Sequence, residues 1–204
     1  KTSVDEEGVA LACVARFNAR FAALPAQDFI ERILVGTLRT GHLIIGKPAQ
    51  FAQDEDVPLQ HGLDDATALS RKLLADPAVR QVLPRVSFTG LVSNGEKSTV
   101  MMAEGIEPDA EFAVKGPFLT IKSGQALTSD QRAAVMLGDN LARSLKATPG
   151  SGLTLLASTT EGALNALDVT VTGTFSTGVP EIDKRLIYTD VATAQRLLAT
   201  PRVS

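Results

Sequence analysis

The fold is decided by residues 133–198, AAVMLGDNLARSLKATPGSGLTLLASTTEGALNALDVTVTGTFSTGVPEIDKRLIYTDVATAQRLL. Apolar runs at 133–137 and 153–157 predict two short strands. Gly138-Asp139 follows the first strand and opens a helix, which a Pro/Gly turn ends at 149–152.

The second half of this stretch alternates more strictly. Residues 167–175 predict a strand that places Leu167, Val169, Val171 and Phe175 on one face and threonines on the other. After a turn at 178–183, residues 186–188 predict a last strand, and Asp190 is the expected N-cap of a last helix. None of these elements carries a catalytic motif.

The chain before this stretch predicts both helices and hairpins. Apolar residues at helical spacing predict an amphipathic helix over residues 5–24 and a second helix from Asp28, followed by a short strand at 42–45. Asp65 is the expected cap of a helix over 66–75. Asn94-Gly95 predicts a hairpin between strands at 82–92 and 98–103. Residues 104–112 predict a turn, and residues 118–121 a short strand.

The mixture of helices and long antiparallel strands indicates an α+β fold, with mixed, largely antiparallel sheets. The length of 204 residues suits one large domain or two small lobes. The net charge of −3 and the lack of a basic stripe argue against nucleic acid as a partner. No run approaches the ~18 consecutive apolar residues of a membrane span.

Candidate metal and nucleophile residues are few. Cys13 is the single cysteine, which excludes an internal disulfide and a cysteine-based metal cluster. The acidic triplet at 54–56 lacks the glycine turn of a calcium loop. His42 and His61 are too few for a histidine-rich site, and we expect structural roles for them. We therefore predict no metal, no cofactor and no catalytic residue.

Two glycine-lysine segments resemble phosphate loops only superficially. Residues 95–99 (GEKST) and Gly46-Lys47-Pro48 both lack the spacing of a P-loop. The first also lies between two predicted strands, so it lacks the helix N-terminus that makes such a loop bind phosphate. Asp28, Asp65 and Asp190 are explained as helix caps rather than as acid–base pairs.

Five short segments in a fixed order carry a family resemblance. They are residues 40–45 (TGHLII), 104–111 (EGIEPDAE), 135–142 (VMLGDNLA), 171–175 (VTGTF) and 190–198 (DVATAQRLL). The series, over roughly 28–200, resembles the MacB-like periplasmic core domain of FtsX-type ABC transporter permeases, especially the lipoprotein-releasing LolC/LolE branch.

The resemblance implies two lobes, one inserted in the other. A porter-like lobe would comprise residues 28–103 and 173–204, and a sabre-like lobe residues 104–172. Residues 1–27 would form an N-terminal amphipathic helix. The domain would lie in the periplasm, on the outer face of the bacterial inner membrane, between membrane spans outside this chain. The start at Lys1 without methionine is expected for a fragment or a processed chain.

The resemblance also implies a transport role without chemistry. The domain would couple ATP hydrolysis by a cytoplasmic ATPase subunit to the export or release of a lipoprotein, lipid or other hydrophobic cargo. Its expected partners are that ATPase, a second permease copy or relative, and a periplasmic carrier or adaptor. The residues leave two other classes open: a stand-alone extracytoplasmic ligand-binding or adaptor module, and a hydrolase that uses one of the two histidines.

Overall fold

A computed structural model describes residues 2–4, 10–12, 44–47, 59, 61–77, 79–115 and 119–203. The strands described are β1 (Thr2–Val4), β2 (Ala10–Ala12), β3 (Ile44–Gly46), β4 (Val86–Ser93), β5 (Ser98–Ile106), β6 (Thr120–Gly124), β7 (Ala134–Gly138), β8 (Gly152–Ser158), β9 (Leu164–Ser176) and β10 (Leu186–Asp190). The helices described are α1 (Ala66–Leu74), α2 (Pro108–Lys115), α3 (Asp139–Ser144), α4 (Pro180–Asp183) and α5 (Val191–Leu198).

A small antiparallel sheet holds the first three strands in the order β1-β2-β3. Ala12 pairs with Thr2 on one side and with Ile44 on the other. The helix predicted over residues 5–24 is therefore wrong at Ala10–Ala12, where a small apolar run pairs as a strand. The other residues of that helix, the helix from Asp28 and the start of the strand at 42–45 lie outside the described residues.

The remaining strands form one sheet that closes on itself. Its order is β6-β9-β7-β10-β5-β4-β8, and β8 pairs again with β9. Six strands, β9-β7-β10-β5-β4-β8, therefore make a ring, which we call the strand ring, and β6 extends β9 outside it. Only β10–β5 and β7–β9 are parallel pairs in this sheet. The structure confirms the α+β class with mixed, mostly antiparallel pairing.

The sequence-based lobe boundaries fall inside this sheet. The boundary at 103/104 cuts β5 and the boundary at 172/173 cuts β9. β7 and β8 belong to the predicted inserted lobe, yet they pair with β10 and β4 of the other one. In the described part of the chain these boundaries do not separate two bodies. The two-lobe arrangement of the whole chain stays a prediction.

Two apolar clusters lie on opposite faces of β7 and β10. Val135 and Leu137 of β7 face the main cluster, together with Ile187 of β10 and Leu197 of α5. The alternate residues of both strands face a second cluster, which contains Ala134, Met136, Leu186, Tyr188 and Phe175. Both strands are buried along their full length. Because both faces are apolar, these two strands do not show the alternation of a half-exposed strand.

A bulge in β9 allows this strand to serve both clusters. Val135 pairs with Val171, but Met136 pairs with Gly173, so Thr172 is skipped. The Thr172 hydroxyl donates to the Val135 carbonyl at 3.2 Å. Val171 consequently faces the main cluster, whereas Phe175 faces the second. The prediction that Phe175 shares a face with Val171 is wrong, because one extra residue reverses the alternation.

The bulge also brings backbones close together. A Cβ built on Gly173 would lie 2.3 Å from the Gln125 carbonyl oxygen. Gly124 has φ +70°, and a Cβ there would lie 2.3 Å from the Thr172 oxygen. Both positions therefore require glycine, since backbone atoms cannot move aside as a flexible side chain can.

Several local predictions are confirmed with shifted ends. Asp65 accepts from the Ala68 amide at 2.8 Å and begins α1. β4 and β5 form the predicted hairpin, and its loop is closed by the Asn94 side chain, which accepts from the Lys97 amide at 2.7 Å. Residues 82–85 are not strand, and the last predicted turn contains the single-turn helix α4.

The predicted turn at 104–112 is wrong. β5 continues to Ile106, and α2 begins at Pro108. Proline suits the first turn of a helix because its missing N–H would have no intrahelical partner there. Asp109 and Glu111 add acidic groups near the helix N-terminus, which the helix dipole favours.

Candidate functional site

The C-terminal segment of the described chain is fastened to residues 62–64. Leu63 and Val203 form an isolated antiparallel bridge, in which the Leu63 amide donates to the Val203 carbonyl at 2.8 Å and the reverse bond measures 3.2 Å. Ala199, in the left-handed conformation, ends α5 and turns the chain towards this bridge. We call residues 62–64 and 199–203, with Gln195, the C-terminal anchor.

Side chains reinforce this anchor on its solvent side. Asp64 accepts from the Arg202 guanidinium at 2.6 Å and from the Lys47 ammonium at 2.7 Å. These two hydrogen bonds hold the pKa of the Asp64 carboxyl below its ordinary value. Gln195 donates to the Pro201 carbonyl at 2.7 Å. One carboxylate therefore links three segments: the end of β3, the residues before α1 and the residues after α5.

The inner side of the anchor is packed into the main cluster. Val203 and Leu59 are buried there. A Cβ on Gly62 would lie 2.9 Å from the Val203 carbonyl oxygen, so the two segments touch at backbone distance. α5 itself starts from Asp190, the last residue of β10, whose carboxylate accepts from the Thr193 amide at 3.0 Å. The anchor is thus connected through one helix to the strand ring.

Arg85, Glu111 and Tyr188 form a polar cluster on the face of β10 that packs into the second apolar cluster. Arg85 binds Glu111 of α2 with two nitrogens, at 2.7 and 3.3 Å. Burial raises the pKa of the Tyr188 phenol, and the nearby carboxylates of Glu104 and Glu111 raise it further. Tyr188 is also packed between aromatic rings, with the Phe175 centroid at 5.0 Å and the Phe112 centroid at 6.2 Å. A tyrosine held protonated in this way is suited to packing rather than to proton transfer.

Asp183 closes the turn between β9 and α4. It accepts from the Ser176 hydroxyl at 2.6 Å and from the Thr177 amide and hydroxyl at 2.9 and 2.8 Å. Burial acts to raise the pKa of this carboxyl, but the hydrogen bonds from Ser176 and Thr177 outweigh it and leave the pKa lowered. Every contact named here is local, so the carboxylate orders the turn.

The residues considered as sites from sequence are not brought together. The 95–99 segment spans the hairpin loop and the start of β5, with Gly95 and Lys97 exposed. Lys47 contacts Asp64 rather than forming a phosphate loop. His42, Cys13, Asp28 and the triplet at 54–56 lie outside the described residues. His61 is half-buried and does not line the open groove of about 660 Å³ beside β5, whose lining residues are Thr99, Val100, Asn140, Ser144, Lys184 and Arg185.

Sequence reasoning missed the anchor and the buried ion pair. Asp64 and Arg202 are 138 positions apart, and no local pattern connects them. Residues 104–112 were predicted as a turn, so the helix that positions Glu111 was missed. Proline followed by acidic residues is a helix-start signal that could have identified this helix. Within the described ranges no cluster of three metal-ligating side chains occurs. Among the described helices, none has the length and apolar character to cross a membrane.

The chain is similar to a protein family, to a relative of known name and to a solved structure, and these matches cover different shares of it. Residues 25–204 match the family described as the MacB-like periplasmic core domain. Over 120 residues the chain is 28% identical to the lipoprotein-releasing system transmembrane protein LolE of Haemophilus influenzae, a match that covers 59% of this chain and 29% of that protein. The chain therefore spans less than a third of the length of this relative.

The fold is also found in a solved structure. The extracellular domain of the noncanonic ABC-type transporter YknZ from Gram-positive bacteria superposes with a TM-score of 0.53. The match covers 68% of each chain at 19% identity, so it supports the fold alone. Since the family match extends over most of the sequence, this chain belongs to the family of MacB-like periplasmic core domains.

Proposed function

We propose that this chain is the periplasmic domain of an ABC transporter permease and that it transmits movement without chemistry of its own. The family match over residues 25–204 carries this proposal. The C-terminal anchor supports it physically. A domain that transmits movement needs a stiff connection between its core and its C-terminal segment. The C-terminal anchor provides such a connection through Val203, Arg202 and α5.

The cargo we propose is a lipoprotein, a lipid or another hydrophobic molecule. Lipoprotein release enters this proposal through the relative in Haemophilus influenzae, which is named as part of a lipoprotein-releasing system. The proposed partners are a cytoplasmic ATPase, reached through membrane spans outside this chain, and a second permease copy or relative. A periplasmic carrier or adaptor would receive the cargo.

The placement of the domain can be tested by labelling. In the intact protein, with Cys13→Ser as background, Ser123→Cys would put one thiol on β6, where every residue is exposed. A membrane-impermeant maleimide should label it in intact cells once the outer membrane is permeabilised. Labelling only after the inner membrane is broken would refute the periplasmic placement.

The role of the anchor can be tested by separating ATP hydrolysis from transport. In the complete transporter with its ATPase, Asp64→Ala should leave ATP hydrolysis unchanged and reduce cargo release, because the carboxylate that joins three segments is lost. Asp168→Ala is the matched control, since Asp168 is an exposed carboxylate on β9 that contacts only Thr154 among the hydrogen bonds described. Equal release by the two variants would refute the coupling role.

A stand-alone binding module would instead need a deep apolar cleft with convergent polar groups. The groove beside β5 is open and is lined mainly by polar and charged side chains. This favours the transporter domain over the module. Release of the protein from isolated membranes by salt alone would support the module.

A further inference from the structure

Within the described residues, the hairpin β4–β5 leaves part of one strand edge without a neighbouring strand. β10 pairs with β5 only from Met102 onwards, opposite Leu186. On that side no strand of the described chain pairs with residues 98–101, although β4 covers their other side. A bare strand edge is the feature to which an extended peptide adds by backbone hydrogen bonds.

The register shows which backbone groups face this open edge. The Asn94 amide donates to the Lys97 carbonyl at 3.1 Å, so residues 99 and 101 also direct their backbone groups towards β4. Ser98 and Val100 then direct theirs to the opposite side. Met102 follows the same alternation, and its amide donates to the Arg185 carbonyl at 2.8 Å. Ser98 and Val100 thus present donors and acceptors along the open edge, and Val100 also lines the groove.

The open part of the β5 edge is as long as one short strand. Four residues, 98–101, extend over about 13 Å at a rise of about 3.4 Å per residue. The groove has a volume of about 660 Å³, which lies within the range of ligand-binding pockets. Lys97 closes one end by donating to the Ser144 carbonyl at 3.1 Å, and Arg185 lies at the other.

Exposed apolar side chains lie on the hairpin beside the edge, and two basic side chains lie among the polar ones that line the groove. Val100 and Met102 are 53% and 52% exposed on the outer face of the hairpin, and Leu91, opposite Val100, is 39% exposed. Lys184 and Arg185 line the groove, and no carboxylate does. Lys184 is paired with Glu181 at 2.6 Å, so Arg185 supplies most of the positive charge.

We propose that the free edge of β5 binds an extended segment of a partner protein in which apolar residues are flanked by acidic ones. The segment would add as a strand along Ser98–Met101, pack an apolar side chain beside Val100, and place a carboxylate near Arg185. A second copy of this chain is disfavoured, because both copies would bring Lys184 and Arg185 to one interface. Peptide binding here does not depend on the transport role, so the two proposals can fail separately.

The test uses the 204-residue chain and a fluorescein-labelled peptide of alternating valine and threonine with glutamate at both ends. We expect it to bind at least about tenfold more tightly than the same peptide with lysine at both ends. A peptide N-methylated at alternate residues should not bind, because it lacks the donors for strand addition. If all three peptides bind equally well, or if none of them binds, the proposal is wrong.

Two variants locate the site. Arg185→Glu should weaken binding of the acidic peptide by about tenfold or more and strengthen binding of the lysine peptide. Arg71→Glu on α1, at another exposed arginine, should change the binding of neither peptide. Val100→Glu should weaken the acidic peptide without altering the unfolding midpoint, since the side chain is half exposed. If sedimentation instead shows a dimer that Val100→Glu abolishes, a second copy occupies the edge and the proposal is wrong.

Discussion

In the strand ring the side chains that face inward are buried, whereas at the C-terminal anchor the charged atoms lie in water. Ile187 in the ring is fully buried, while the Asp64 side chain is 60% exposed. Apolar burial stabilises by roughly 25 cal/mol per Å², but exposed ion pairs contribute little because water and salt screen them. The ring therefore determines whether the domain is folded, and the anchor determines how firmly the folded domain holds its C-terminal segment.

The contrast between the strand ring and the C-terminal anchor predicts the largest loss of stability for a substitution in the ring. Ile187→Ala should lower the free energy of unfolding by about 2–5 kcal/mol, because it removes buried methyl groups and leaves a cavity between β10 and α5. Urea unfolding followed by circular dichroism measures this loss. Leu164→Ala is the control, since Leu164 is 73% exposed and its truncation should have almost no effect. Similar losses for both variants would contradict the contrast.

The buried ion pair should respond unequally to the removal of its two partners. Arg85→Met removes the cation that binds the fully buried Glu111 carboxylate with two nitrogens and should cost about 3 kcal/mol. Glu111→Gln should cost less, because the Arg85 side chain is 34% exposed and can be hydrated again. The double variant Arg85→Met/Glu111→Leu should recover much of the loss. Thermal unfolding of the three variants tests this order, and a larger loss for Glu111→Gln would refute it.

The turn at Asp183 should make a pH-dependent contribution to the free energy of unfolding, of a size between the effects expected in the ring and at the anchor. Asp183→Asn should cost about 2 kcal/mol at pH 7, because a charged acceptor of three hydrogen bonds is lost. The folded pKa of Asp183 lies below its ordinary value of 3.8, so this stability is fully present above that value and is lost as the pH falls below it. Unfolding measured at pH 7 and pH 3 should show the difference between variant and parent shrink. A constant difference would refute this.

The smallest effect on global stability is expected at the anchor. Asp64→Asn should leave the unfolding midpoint almost unchanged, yet accelerate hydrogen exchange of the Leu63 and Val203 amides, which bond each other's carbonyls. High salt should accelerate the same amides in the parent, since screening weakens both ion pairs of Asp64. Asp168→Asn should alter neither amide. A shift of the midpoint would show that the anchor belongs to the cooperative core.

The parts of the fold that depend on local chemistry could be predicted from the sequence. Asp65 and Asp190 both cap helices, and Asn94-Gly95 lies in the loop of a hairpin. Each of these features is fixed within a few residues along the chain, by a side chain that satisfies nearby backbone groups. The α+β class follows from the same local patterns.

The parts that depend on distant pairing could not be predicted. Nothing in the alternation of β8 shows that it pairs with both β4 and β9 and so closes the ring. The bond between Asp64 and Arg202 joins positions with no local relation. The bulge at Thr172 depends on how β7 lies beside β9, and it reversed the predicted face of Phe175. These features are set by tertiary packing, which one-dimensional periodicity does not contain.

Because of the bulge at Thr172, the face on which Phe175 lies depends on how many residues separate it from Val171. Val169 and Val171 on one side of it, and Phe175 on the other, serve opposite clusters only because one residue is left unpaired between them. Removing Thr172 would give a more regular ladder and would leave Phe175 facing Tyr188, because Val171 and Phe175 would then be three positions apart, an odd spacing that puts them on opposite faces. Deleting one residue more would give a spacing of two positions in a regular ladder and would turn Phe175 to the face of Val171. Related chains that keep both clusters but lack the bulge should therefore be one residue shorter in this strand.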